Sequence, residues 1–391
     1  MLDYNNDFYE KIVIFFVNLA LIFAPMDAWL ILPVNFLGIL VSIPRILIFL
    51  SVFVYVILSL KKGFISLNFM LLLVFIWSMI YILSIFWIDI SIERSLILRK
   101  LFSIIFANFL IYLGYICEKF NQTLRVFKVI TFISLIFALI EQIFGFRPYI
   151  ERQHLFIFEL TSFYINPAHL GSTLALLYPC VKYYFSNKRY ELIGYVLDFI
   201  VLFVIIRTGS KGALLSFLFC FIAMVFVFKD IRKKFLMNVI FYVSFVISGW
   251  YFVTHFRLVP DILLDKINII LVTPIAIDSY LNRYEIYTEM LKYISRKPIL
   301  GYGLGTNLIV GTSSHNFWLE LWFEGGIINF VAFILIYIIL LHTLIFKKIN
   351  KESKIYLISL VAFIPISLTV GSIFSLWIFW ILLGASIYRI S

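Results

Sequence analysis

The chain has 391 residues, of which 63% are hydrophobic and only 14% charged, with 44 Phe, 23 Tyr and a mean hydropathy of +1.05. That balance excludes an ordinary soluble domain and predicts an all-α, polytopic membrane protein. A net charge of +11 would suit nucleic acid only if the basic residues gathered on a soluble face; they fall between apolar runs instead, so no nucleic-acid partner is expected.

A membrane span takes about 20 mostly apolar residues, and the runs here are continuous rather than alternating, which selects helices over a barrel. Residues 1–391 thus read as a single integral membrane domain. The apolar segment after Lys11 lacks a basic leader and is followed by further spans, so it is expected to be an uncleaved first helix. In chain order the expected spans are 12–32, 36–60, 68–88, 101–117, 127–144, 168–185, 191–206, 212–228, 236–253, 317–346, 355–370 and 373–388, twelve in all. The second is interrupted by Pro44 and Arg45. Cys117, Cys180 and Cys220 lie in or beside apolar runs without a CxxC pair, suggesting neither disulfides nor a metal site.

Basic clusters follow every second helix: Lys61-Lys62, Lys119/Arg125/Lys128, Lys182/Lys188/Arg189, Lys229/Arg232/Lys233/Lys234 and Lys347/Lys348/Lys351/Lys354. By the positive-inside rule, both termini then face the cytoplasm. Several of the remaining basic residues converge on three outer connections. Residues 145–167 carry Arg147 and Arg152; the turn RTGSKG, 207–212, carries Arg207 and Lys211; the longest, about 254–316, carries Arg257, Lys266, Arg283, Lys292, Arg296 and Lys297. Outward cations run against the topological bias. A polyanionic ligand would account for them, as would pairing with local acids such as Glu151, Asp261 and Glu285.

Within the long connection, 279–298 reads as an amphipathic helix with Tyr280, Tyr284, Tyr287, Leu291 and Ile294 on one stripe, ended by Pro298. GYGLG, 301–305, follows; it lacks the Lys-Ser/Thr of a phosphate loop and reads as a tight turn. In SSHNFWLELWFEGGIINF, Ser313 or Ser314 is expected to cap the next helix, which places His315 at a helix start near the membrane surface. Asn316, Glu320 and Glu324 share one helix face, beside Gly325 and Gly326. His315 has two readings, an interfacial histidine that only hydrogen-bonds or a general base for a hydroxyl. His154, His169, His255 and His342 show no metal-ligand spacing, and no DxD pair is present.

Four stretches resemble the O-antigen polymerase and O-antigen ligase superfamily of bacterial envelope glycosyltransferases: INPAHLGSTLALLYP (165–179), TGSKGALLSF (208–217), RYEIYTEMLKYISRKPILGYGLG (283–305) and HNFWLELWFEGGIINF (315–330). The resemblance covers about residues 145–330. It implies a GT-C-like enzyme of the bacterial inner membrane, metal-independent, without a cofactor, inverting, with its active site facing the periplasm and residues 254–316 as the longer periplasmic loop. The implied partners are glycan donors and acceptors linked to undecaprenyl pyrophosphate, membrane lipids and a chain-length regulator protein. Carried over by residue, His315 matches the base and Arg283 the essential loop arginine. Lys211 stands where the family has arginine, which leaves a point charge in place of a bidentate fork and draws attention to Arg207 one turn earlier. Arg152 joins them as a pyrophosphate-binding residue, with Asn316, Glu320, Glu324 and Asn166 in support; either glutamate is expected to orient the imidazole or to pair with a cation. The expected activity is that of a polymerase extending a lipid-linked chain. A ligase that moves the glycan to lipid A–core is the alternative, and a transporter of lipid-linked sugar is a third reading.

Overall fold

The computed structural model describes residues 2–23, 31–36, 39–61, 68–88, 93–144, 167–185, 191–228, 277–307, 314–346, 350–369, 374 and 376–390. Twelve α-helices lie among them: α1 (Leu2–Phe23), α2 (Ile43–Lys61), α3 (Phe69–Leu83, continued by a 3-10 turn Ser84–Trp87), α4 (Arg94–Lys119), α5 (Thr123–Phe144), α6 (Pro167–Tyr184), α7 (Glu191–Arg207), α8 (Lys211–Val227), α9 (Ile277–Arg296), α10 (Phe317–Phe346), α11 (Lys351–Ser367) and α12 (Trp377–Ile390). Five stretches, Ile43–Leu60, Phe69–Trp87, Arg94–Lys119, Thr123–Phe144 and Phe317–Thr343, are long and apolar enough to cross a membrane, and each buries less than half of itself inside the protein. Large apolar side chains on the outer faces, such as Phe53, Phe69 and Phe226, therefore face outward, as bilayer-solvated helices require. The protein is a helical, multi-pass membrane protein.

Eleven of the expected spans coincide with described helices, and 236–253 lies outside the described residues. The first two expectations need correction. α1 ends at Phe23, and an antiparallel hairpin of β1 (Ile31–Phe36) and β2 (Ile39–Ser42), pairing Asn35 with Leu40, occupies the ground given to helix. α2 then starts at Ile43, behind Ser42, whose hydroxyl accepts from the Arg45 N–H at 3.4 Å. Pro44 sits in the first turn, where its missing N–H costs no helical bond.

The central crossing is α4 against α12. Gly114 and Gly384 let the two backbones touch: a Cβ on Gly114 would strike the Ile381 carbonyl, and one on Gly384 the Ile111 carbonyl. Around this crossing, Trp77 packs 4.7 Å from Phe333, Phe317 5.2 Å from Phe333 and Phe374 5.3 Å from Trp380, ring centre to ring centre. One end of the bundle collects the termini expected to be cytoplasmic. There Arg389 of α12 pairs with Glu118 of α4 and with Glu352 of α11 (2.6 Å), and Lys182 pairs with Asp198.

α9 lies on the other end, with Met290 and Ile294 buried against Tyr302 and Phe323, and Ile286, Tyr293, Leu319 and Trp322 around them. The stripe is rotated from the expected one. Tyr284 is 60% and Leu291 47% exposed, because the docking residues Phe323 and Tyr302 meet the neighbouring ridge. Replacing Gly384 by Val should force α4 and α12 apart, costing about 1–3 kcal/mol, read as a lower thermal unfolding midpoint in detergent; an unchanged midpoint would refute the tight crossing.

Candidate functional site

His315 opens α10 and adopts a left-handed backbone (φ 50°), a conformation tolerated by histidine and asparagine far better than by branched residues. Asn316, not Ser313 or Ser314, is the cap: its Oδ1 accepts from the N–H of Trp318 (3.1 Å) and of Leu319 (3.2 Å). Ser314 helps from one residue before the histidine, its Oγ accepting from the Asn316 N–H at 3.2 Å. Ser313 lies outside the described residues.

The helix so started is short. Gly326, at φ 69° and ψ −177°, breaks α10 into a two-turn half-helix, 317–324, and a long membrane-crossing half. A break at this depth strands the carbonyls at the end of the first half. Two of them are recovered by the Gly-rich turn, since the N–H of Tyr302 donates to the Phe323 carbonyl and that of Gly303 to the Glu324 carbonyl, both at 2.9 Å. In return the Ile327 N–H, which starts the second half, donates to the Pro298 carbonyl at 2.9 Å. The fit excludes side chains: a Cβ on Gly326 would overlap the Ile299 carbonyl. Trp87 Nε1 donates to the Leu300 carbonyl (2.7 Å), tying the turn to the end of α3.

α9 then positions Arg283. Its later residues Met290 and Ile294 pack on Phe323, so the helix, running back along the half-helix at about 1.5 Å per residue, carries Arg283 toward the half-helix start. The guanidinium acts on the imidazole. Burial first, and the Arg283 charge second, hold the His315 imidazole below its ordinary pKa, so at neutral pH it is uncharged and able to accept a proton.

Glu320 and Glu324 do something else. Among the described residues neither hydrogen-bonds the imidazole; both pair with Lys100 in the second turn of α4, Glu320 in close contact and Glu324 at 3.3 Å, and Tyr81 of α3 donates its hydroxyl to Glu324. Lys100 is 12% exposed, the two carboxylates 3% and 0%. Its ammonium also lies 5.1 Å from the Phe374 ring centre. Lys100 was not singled out in the sequence because it stands one residue before the expected fourth span. The available signal was the outward run Arg94, Arg99, Lys100 facing two acids on an apolar helix.

The other expected phosphate-binding groups gather from α7 and α8. Arg207 ends α7 and donates from Nε to Gln142 of α5 at 3.1 Å. Lys211 is the exposed first residue of α8, which Ser210 caps through the Ala213 N–H (3.3 Å). Gly212 packs against Thr369, and Trp318 Nε1 donates to Ser367 at 2.8 Å, so the starts of α8 and α10 meet the same final turn of α11. Gly171 brings the start of α6 against Thr208 and Ala213. Arg152 and Asn166 lie outside the described residues.

A family model described as O-antigen ligase matches residues 196–334, the stretch that holds the Arg207–Lys211 turn, α9, the Gly-rich turn and the half-helix. Over these residues the chain is similar to the O-antigen ligase family. It is also 27% identical over 278 residues to a ComP-specific O-oligosaccharyltransferase of Acinetobacter baylyi, a match covering 65% of this chain and 48% of that protein. The chain thus matches about half the length of that relative.

Removing one partner from the Lys100 cluster leaves buried carboxylates without their cation. Lys100→Met is expected to destabilise the fold by about 3–5 kcal/mol, and adding Glu320→Gln with Glu324→Gln should restore most of the lost thermal midpoint. A single variant as stable as the parent would contradict the pairing.

Proposed function

We propose that this protein is a member of the O-antigen ligase and polymerase superfamily and a membrane glycosyltransferase that moves a glycan from an undecaprenyl pyrophosphate carrier onto an acceptor hydroxyl, with His315 as general base. The observation that carries this reading is the imidazole itself: half-buried, kept uncharged by its surroundings, at the start of a broken helix and under the influence of Arg283. The acceptor oxygen attacks the anomeric carbon while its proton passes to His315. The sugar–phosphate bond breaks with its electron pair, which leaves on the pyrophosphate; attack from the opposite face inverts the anomeric centre. Arg283, with Arg207, Lys211 and Arg152, stabilises the charge that grows on the leaving group. Asn316 fixes the segment that bears the base, and Asn166 is a further supporting residue in this proposal. The chemistry draws on no cofactor, because the donor's bond to a pyrophosphate leaving group supplies the driving force.

In this reading the active site faces the periplasm from the inner membrane, at the bundle end opposite the Arg389–Glu118 cluster; the alternation of basic clusters along the sequence supports that side. Two acceptors fit. Extension of a lipid-linked repeat is the polymerase reading drawn from the Phe-, Ile- and Lys-rich composition. The descriptions of the matched family as O-antigen ligase and of the Acinetobacter relative as an O-oligosaccharyltransferase support ligase-type transfer at least as well; for this chain the acceptor in that reading is lipid A–core. Deleting the gene separates them: cores capped with a single repeat unit identify a polymerase, and bare cores with accumulated lipid-linked polymer identify a ligase.

Three variants test the residues. His315→Ala should abolish glycan transfer at normal expression, and full transfer would exclude it as the base. Arg283→Gln should cost roughly a hundredfold in rate, about 3 kcal/mol of charge stabilisation. The base works uncharged, so the rate falls as pH drops through the imidazole pKa, which burial and Arg283 set below the ordinary value. Removing the Arg283 charge must raise that pKa and move the acid limb to higher pH; a limb that stays put breaks the link between the two residues. Lys211→Arg should retain transfer, since it adds donors to the same position.

A further inference from the structure

We propose that Lys100 is a positioning residue for the transfer reaction: by pairing with Glu320 and Glu324 it pins the two-turn half-helix of α10 to α4 and so fixes where His315 stands. The inference rests on the reading of His315 as the base. It begins from a mechanical problem. An isolated helix of eight residues is far below the length that is stable by itself, and this one is cut from the rest of α10 at Gly326. Its orientation must come from contacts outside itself.

Those contacts divide by face. The carbonyl end is held by backbone donors of Tyr302 and Gly303, and one face packs on α9 through Leu319, Trp322 and Phe323. Trp318 holds one side through Ser367. The side facing α3 and α4 carries Glu320 and Glu324, whose ion-pair and hydrogen-bond partners among the described residues are Lys100 and Tyr81. Glu320 and Glu324 stand one turn apart, and a single ammonium reaching both spans that turn like a clamp. Any roll or tilt of the half-helix lengthens one ion pair or the other. Each carboxylate keeps one buried oxygen without a hydrogen-bond partner, Oε2 of Glu320 and Oε1 of Glu324, so alternative partners do not compete for this face.

The half-helix begins at Asn316, whose cap bonds hold the strained His315 backbone in place. The imidazole therefore moves with the segment. Among the described residues the charged group that acts on it is Arg283 from α9, while Glu320, five residues on, is committed to Lys100. Displacement by about 1 Å is enough to cost on the order of a hundredfold in a reaction that depends on alignment.

The rival account is that Lys100 merely neutralises buried acid so that the bundle folds. Lys100→Gln alone does not distinguish the two, since it can fail to fold. The triple variant Lys100→Met/Glu320→Gln/Glu324→Gln removes the clamp while leaving no unpaired charge, and Lys100→Arg keeps the clamp. The readout is the pH dependence of His315 modification by diethyl pyrocarbonate in detergent, followed by mass spectrometry with N-acetylhistidine in the same solution as reference. This measurement needs no glycan substrate, so it stands even if the transferase reading fails. We expect His315 in the triple variant to titrate at higher pH than in the parent, as it escapes burial and Arg283, and Lys100→Arg to match the parent. Deleting two carboxyls and one ammonium would by electrostatics alone lower the titration point, so an upward shift reports movement. In the transfer assay the triple variant should lose about a hundredfold in kcat with KM little changed. A folded triple variant whose His315 titrates and reacts as in the parent overturns the proposal.

Discussion

Everything at the candidate site follows from one constraint: a helix entering a membrane has been cut near its start, and the backbone groups exposed by the cut must find partners. In lipid or at its border, unsatisfied carbonyls are too costly to leave bare. The Gly-rich turn resolves this by laying two N–H groups on Phe323 and Glu324 and accepting one from Ile327 in return. That exchange sets the height of α9, the closeness of Gly326 to Ile299 and the point at which the His315-bearing segment meets the bundle.

The charged residues divide the molecule into two ends with different purposes. At one, Arg389, Glu118, Glu352 and Tyr356 close a compact network in which Tyr356 donates to Glu118 at 2.5 Å and Arg389 bridges three helices. At the other, Arg207 and Lys211 are only partly covered or open, and Arg283 is half-exposed beside a histidine. Glu118 and Lys100 sit near opposite ends of α4, about 27 Å apart at 1.5 Å per residue, so the two networks occupy opposite sides of a bilayer-thick layer.

Most of this fold was legible because membrane helices announce themselves by length and apolarity. α10 was expected at 317–346 and occupies those residues, and α6, α7 and α8 begin within a residue of expectation. The errors share a cause. Residues 31–36 and 39–42 are apolar like the helices on either side yet pair as strands, and hydropathy alone does not separate the two. The break inside α10 was half visible, since Gly325-Gly326 suggested close packing, but the turn that fills it comes from over twenty residues earlier. Lys100 was missed for the same reason: its meaning lies in two glutamates some 220 residues away, and no local pattern pairs them. Asn316 looked like a partner of Glu320 and Glu324, yet at a helix start its short amide competes for backbone N–H groups and becomes the cap.

The fastening between 302–303 and 323–324 is made of main chain on both sides. Side-chain replacements leave its donors and acceptors untouched, so the local geometry can persist while the residues along it drift. Proline stands apart from every other replacement: at 302 or 303 it would delete an amide hydrogen outright and unlatch the severed helix without altering a single charge.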